Sequence, residues 1–363
     1  MTNTCHERQS NIELLRIVLT FLVVAHHYVV NSGVNELFDF TKPASSNTLF
    51  LQWWGMWGKT AINAFVLITG YFMCNSRLTI RKILKLYLQV QFYLIFGFLV
   101  LFLIGYEHIS ISGVVNLLAW PLMWLNHGFI ASFLVFYAFI PLYNVVIAKQ
   151  SRVALLFWAS MLVGIYVIPY TFLGNHQVFN YVGWYVALYF TGAYLRLCGG
   201  GWMIKNRICF PLLCISVVGA LFGGWLYGWN VLHEWPSLSL KCIGTFFGVA
   251  ESCSFMAFVI GVLMFLVFKN LQIPHNRFIN GVASTTFGIL LAHTFSGGMR
   301  TLLWRDIVDV SGHFTMAEST GNSIVLFTVL VVLCVFVICS AIDCLRILFF
   351  EKPFFARFCV AII

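Results

Sequence analysis

The stretch NIELLRIVLTFLVVAHHYVV, residues 11 to 30, sets ionisable groups inside an otherwise apolar run. Arg16 and His27 are eleven positions apart, so on a helix they fall within about 20° of one face and roughly 16 Å apart along the axis. His26 points about 80° to the other side of Arg16. Glu13, three residues before Arg16, can pair with the guanidinium and fix its rotamer. A neutral imidazole is a natural proton acceptor for activating a hydroxyl near neutral pH, and a guanidinium grips anions. The plainer reading is also open: Arg16 as an anchor at the helix end and the histidines as interhelical hydrogen-bonders.

Further along, Arg77, Arg81, Lys82 and Lys85 form a dense basic cluster, with Arg81 and Lys85 one helical turn apart. Such a cluster either fixes topology or, close to Arg16, clamps a phosphorylated cytosolic ligand. His293 lies in STTFGILLAHTFSGGMRTLLW, with Arg300 seven residues on and nearly on the same face. His127 begins another apolar run, and Glu251 in FFGVAESCSF has no cation nearby in sequence. Glu251 is therefore either protonated or paired across helices, and His127 and His293 are structural groups or parts of a site.

The elements that must position these residues are membrane helices. Of 363 residues, 61% are hydrophobic and 9% charged, with mean hydropathy +0.90, outside the range of soluble globular chains. No polar stretch is long enough for a soluble domain, so residues 1–363 read as one membrane-embedded domain. Ten apolar stretches are expected to cross, near 12–30, 50–73, 85–105, 128–147, 153–171, 178–197, 208–229, 243–268, 280–299 and 322–345. Residues 111–125, short and interrupted by Pro121, suit a re-entrant or interfacial segment. The fold class expected is an all-α polytopic transmembrane bundle with both termini cytoplasmic. That topology places all but Lys42, Lys59, Lys241, Arg300 and Arg305 of the 21 lysines and arginines inside. The net charge of +9 then needs no nucleic acid as partner. The first run lacks a convincing cleavage site and is expected to be retained. The 11 cysteines show no C-x-x-C pair and no zinc spacing, so neither a metal nor structural disulfides are expected.

Several segments together resemble the acyltransferase-3 family of integral-membrane O-acyltransferases. Arg16 and His27 match its arginine, ten residues, histidine pattern in the first span. FVLITGYFM resembles the family's FFVLSGYF ending of the second span, and GFIASFLVFYAFIPLYN, YFTGAYLRL and ASTTFGILLAHT follow in family order. The family's Arg-x-x-Arg after the second span is RKILK here, so Lys85 stands in for an arginine or Arg77 contributes from upstream.

The resemblance implies a cytosolic acyl-CoA donor, acetyl-CoA foremost, and a sugar hydroxyl of a lipid-linked or surface glycan as acceptor. It implies a multi-pass protein of the bacterial cytoplasmic membrane, with membrane lipids around it. His27 would act as catalytic base or as a nucleophile, with Glu13 orienting Arg16. The coenzyme A phosphates would sit at Arg16, Arg77, Arg81, Lys82 and Lys85. His26, His127, His293 and Arg300 would line the acceptor cavity. Two other classes remain open from sequence: a transporter or flippase for a lipid-linked glycan without covalent chemistry, and a non-catalytic subunit of a glycan-assembly complex.

Overall fold

A computed structural model describes residues 8–108, 110, 113–115, 128–199, 205–228 and 246–358. His127, Lys241 and the expected re-entrant segment 111–125, apart from 113–115, lie outside the described residues. Among the described residues every regular element is helical. In chain order the α-helices are α1 (Ser10–Val30), α2 (Ser46–Gly55), α3 (Gly58–Met73), α4 (Ile80–Leu103), α5 (Phe129–Ala138), α6 (Ile140–Ala148), α7 (Arg152–Phe172) and α8 (Tyr181–Leu197). They continue with α9 (Asn206–Gly228), α10 (Phe255–Lys269), α11 (Arg277–Ala283), α12 (Thr286–Thr294), α13 (Gly297–Thr301), α14 (Val310–Thr320), α15 (Val325–Arg346) and α16 (Lys352–Phe358).

The apolar helices carry out the membrane expectation, although several expected spans are interrupted. Among the described residues five helices are long and apolar enough to cross a bilayer, or up to seven if each strongly bent pair counts as one span. The expected span over 50–73 is two helices, α2 and α3, parted at Met56 and Trp57. That over 128–147 bends by 51° between α5 and α6, where Pro141 lacks the N–H that would continue the ladder. That over 280–299 is divided into α11, α12 and α13, with a 90° turn after Thr294 where the Ser296 side chain accepts from Met299 N–H and starts a new helix. Hydropathy averaged over a span-length window smooths over all three breaks.

α1 is the hub, packed against α2, α3, α10, α11, α12 and α15. Its apolar positions serve two cores. Ile12, Leu15, Leu19 and Val23 join the larger one with α3, α8 and α10, while Val24, Ala25, Tyr28 and Val29 join the other with α12 and α15. The first turn of α1 is tied down by polar bonds: Asn11 Nδ2 donates to the carbonyls of Phe268 and Lys269 at 3.1 and 3.0 Å, in the last turn of α10. α3 and α8 touch backbone to backbone. A Cβ on Gly70 would lie 2.6 Å from the Tyr189 carbonyl oxygen and one on Gly192 2.6 Å from that of Leu67, the small-residue contact by which membrane helices pack closely.

Candidate active site

A cavity of about 890 Å³ runs along the seam between the two cores. α1 contributes Arg16, Thr20, Val23 and His27 to its wall, a spacing of four, three and four that keeps them on one face. His26 also lines it. The wall between Arg16 and His27 is largely apolar, with Ile62 and Phe65 from α3, Leu86 and Leu94 from α4, and Leu290 from α12.

His27 and His293, far apart in sequence, meet directly: His27 Nδ1 lies 2.9 Å from His293 Nε2. His293 is fully buried, and its Nδ1 is 2.5 Å from the Ile289 carbonyl oxygen. A carbonyl can only accept, so in neutral rings the His293 proton sits on Nδ1 and its Nε2 carries a lone pair. His27 must then donate through Nδ1, which leaves the lone pair of its own Nε2 free to take a proton. This is a network assignment of the tautomers. His293 thus backs the His27 ring, and Trp304 closes the space behind it edge-on at 6.3 Å between centroids.

His26 is fixed by the break between α2 and α3. The Gly55 carbonyl at the end of α2 has no intrahelical partner, and His26 Nδ1–H donates to it at 2.6 Å. α3 then begins so close to the ring that a Cβ on Gly58 would overlap it, which only glycine avoids. The His26 and His27 rings stand 5.6 Å apart between centroids.

At the other end of the stripe, Arg16 approaches Glu13 Oε1 at 3.9 Å, an ion pair without hydrogen-bond geometry. The Glu13 side chain is 9% exposed against 37% for Arg16, and Arg16 alone of the two lines the cavity. The rest of the basic cluster stands off the wall. Lys85 Nζ is 2.6 Å from Glu351 Oε1, the Arg81 guanidinium lies 5.6 Å from the centre of the Phe355 ring, and Lys82 Nζ donates to the Arg77 carbonyl at 3.1 Å. From that stretch it is Leu86 that reaches the cavity.

Arg300 lines the cavity although the helix breaks between it and His293, so the shared-face argument does not explain its position. The turn at Ser296 brings it there, and Arg300 Nε–H donates to the Ser296 carbonyl at 3.2 Å. Glu251 is paired across helices, its Oε1 3.1 Å from Lys59 Nζ. Lys59 and Tyr181 line the cavity and were not singled out from sequence as site residues. Lys59 is the one cation in its apolar run, a signal that was available; Tyr181 gave none. Among the described residues no group of three or more His, Cys, Asp or Glu is arranged to hold a metal ion.

No curated protein and no solved structure matches the chain. A family model described as an acyltransferase domain matches residues 9–343, a stretch that takes in α1 with its Arg16 and His27, the histidine of α12 behind it, and the whole cavity between. On that match over most of its length, the chain belongs to the acyltransferase-3 family and is a membrane acyltransferase.

Proposed function

We propose that the protein moves an acyl group, acetyl foremost, from cytosolic acyl-CoA to a hydroxyl of a lipid-linked or surface glycan at the bacterial cytoplasmic membrane. The observation that carries this reading is His27 on the cavity wall, with Nδ1 committed to His293 and Nε2 left as a lone pair, on the same helical stripe as Arg16. Arg16 would hold a phosphate of the donor, and the apolar wall suits the slender pantetheine arm that follows. Arg77, Arg81 and Lys82 would add positive potential outside the wall, drawing in an anionic donor.

In the reaction, the acceptor hydroxyl oxygen forms a bond to the thioester carbonyl carbon while its proton passes to His27 Nε2. The carbonyl π pair moves onto oxygen. When the carbonyl re-forms, the C–S bond breaks and the proton on His27 passes to the thiolate, releasing coenzyme A and the O-acyl product. His293 accepts from His27 Nδ1–H throughout, so the base keeps its orientation in both protonation states. His26 and Arg300 would contact the acceptor. Glu13 would hold the Arg16 charge near the wall.

The test is purified protein with radiolabelled acetyl-CoA and a lipid and glycan extract. His27→Ala should lose about 10²–10⁴-fold in transfer, the range a positioned base supplies, with thermal stability retained. Equal transfer by both proteins, or by neither, overturns the proposal. An acyl-histidine route would label the protein in single-turnover experiments with donor alone; direct transfer leaves it unlabelled.

A further inference from the structure

Lys59 sits where the mechanism leaves a charge unaccounted for. When the acceptor oxygen adds to the acyl carbonyl, the π pair becomes a full negative charge on oxygen, and a preorganised donor aimed at that atom is commonly the largest single contribution to such a reaction. We propose that Lys59 is this donor, with Glu251 and Tyr181 as its positioning residues; the inference rests on the acyl-transfer reading.

An ammonium has three N–H bonds. Two are engaged, by Glu251 Oε1 at 3.1 Å and the Tyr181 hydroxyl at 3.1 Å. The third is left for a ligand, and Lys59 and Tyr181 both line the cavity alongside His26 and His27. Gly58, the preceding residue, packs on the His26 ring, so the first turn of α3 is held against the histidine pair.

The surrounding bonds make this ammonium rigid. One turn after Lys59, Asn63 Nδ2 donates to the Ser252 carbonyl at 2.7 Å, and Trp184 Nε1–H, one turn after Tyr181, donates to Asn63 Oδ1 at 2.9 Å. The turn that carries Glu251 is therefore already fastened to α3 and α8 by a neutral network. An ion pair added merely as a second fastening would be a poor choice, because desolvating two charges commonly cancels their attraction. A pair that presents its cation to a cavity has a different use: Glu251 fixes the ammonium from behind, and the cavity side stays open.

The experiment uses the full chain in lipid nanodiscs, acetyl-CoA, and the lipid and glycan extract, reading thiol release to give kcat and KM for acetyl-CoA. Lys59→Met should lower kcat about 10²–10³-fold, as loss of an oxyanion donor does, with KM moving less than about threefold. Lys59→Arg, which keeps the charge with altered geometry, should recover at least about tenfold of that. Glu251→Gln should lower kcat about tenfold by loosening the ammonium, again at little cost in KM. A Lys59→Met protein with wild-type kcat, or with raised KM and intact kcat, overturns the assignment. If Lys59→Met cannot be purified folded, Tyr181→Phe decides: about a fivefold fall in kcat is expected, and an unchanged kcat in the folded variant overturns it. A wild-type protein that releases no thiol overturns the acyl-transfer reading and this one together; an active wild type with an unaffected Lys59→Met removes this one alone.

Discussion

Two arginines in this molecule follow a carboxylate by three residues, and their fates are opposite. Arg346 is 5% exposed in its side chain and lies 2.5 Å from the fully buried Asp343. The wide helical turn Ile347–Glu351 then brings Glu351 Oε2 to within 2.9 Å of its other arm. Tyr93 adds an O–H donor to Asp343 at 2.8 Å, and Gly288 leaves room for the carboxylate. Arg16, in contrast, is 37% exposed, 3.9 Å from Glu13, and faces a cavity. Identical local spacing thus produces a saturated lock in one place and an available cation in the other. What separates them is the number of acceptors that other helices supply: a guanidinium that already has two carboxylates has little left for a ligand, whereas one with a loose, single partner keeps most of its five N–H donors.

The comparison breaks first, if it is wrong, at Asp343. Asp343→Ala leaves Arg346 buried with a diminished set of partners and should cost about 3–5 kcal/mol, the penalty for orphaning a buried charge. Asp343→Ala combined with Arg346→Met should recover much of that loss, measured as the thermal midpoint in one detergent. At the other pair the readout changes. Arg16→Met should leave the thermal midpoint within a few degrees while raising KM for acetyl-CoA about tenfold, or about 1.4 kcal/mol of binding. Glu13→Gln should shift KM only a few-fold and stability by under about 1 kcal/mol, because a loose, partly exposed pair contributes little. The smallest effect is expected for Lys85→Met. Lys85 is 51% exposed and engaged with Glu351, so KM should stay within about twofold and stability within about 1 kcal/mol. A tenfold KM rise there would show that the lock, too, releases a cation to the donor.

The helical bundle and the common face of Arg16 and His27 were legible because both depend on short-range periodicity. Hydropathy identifies an apolar helix, and 3.6 residues per turn places two of its side chains on one stripe. The helix breaks were legible only in part: Pro141 and the Ser296 cap are local signals, whereas the end of α2 is stabilised by an imidazole from α1, and Gly58 matters because of what packs on it. The partners of His27, Lys59 and Lys85 were equally hidden. Each is joined to a group hundreds of residues away or nearly so, and no local pattern encodes such a pairing. Sequence assigned Glu251 two fates, neutral or paired; only the assembled helices select the second. The basic cluster taught the converse lesson, that charge density along a chain does not say which charges already have partners.

The placement of Arg16 and His27 on a single rigid helix makes that helix a gauge of length. Its rise holds the two groups roughly 16 Å apart, and no hinge lies between them to shorten the interval. A donor that touches both at once has to be extended, with its charge at one end and its reactive carbon at the other. On the acyl-CoA reading proposed above, an extended donor can meet both groups at once, whereas a compact activated acid can meet only one of them.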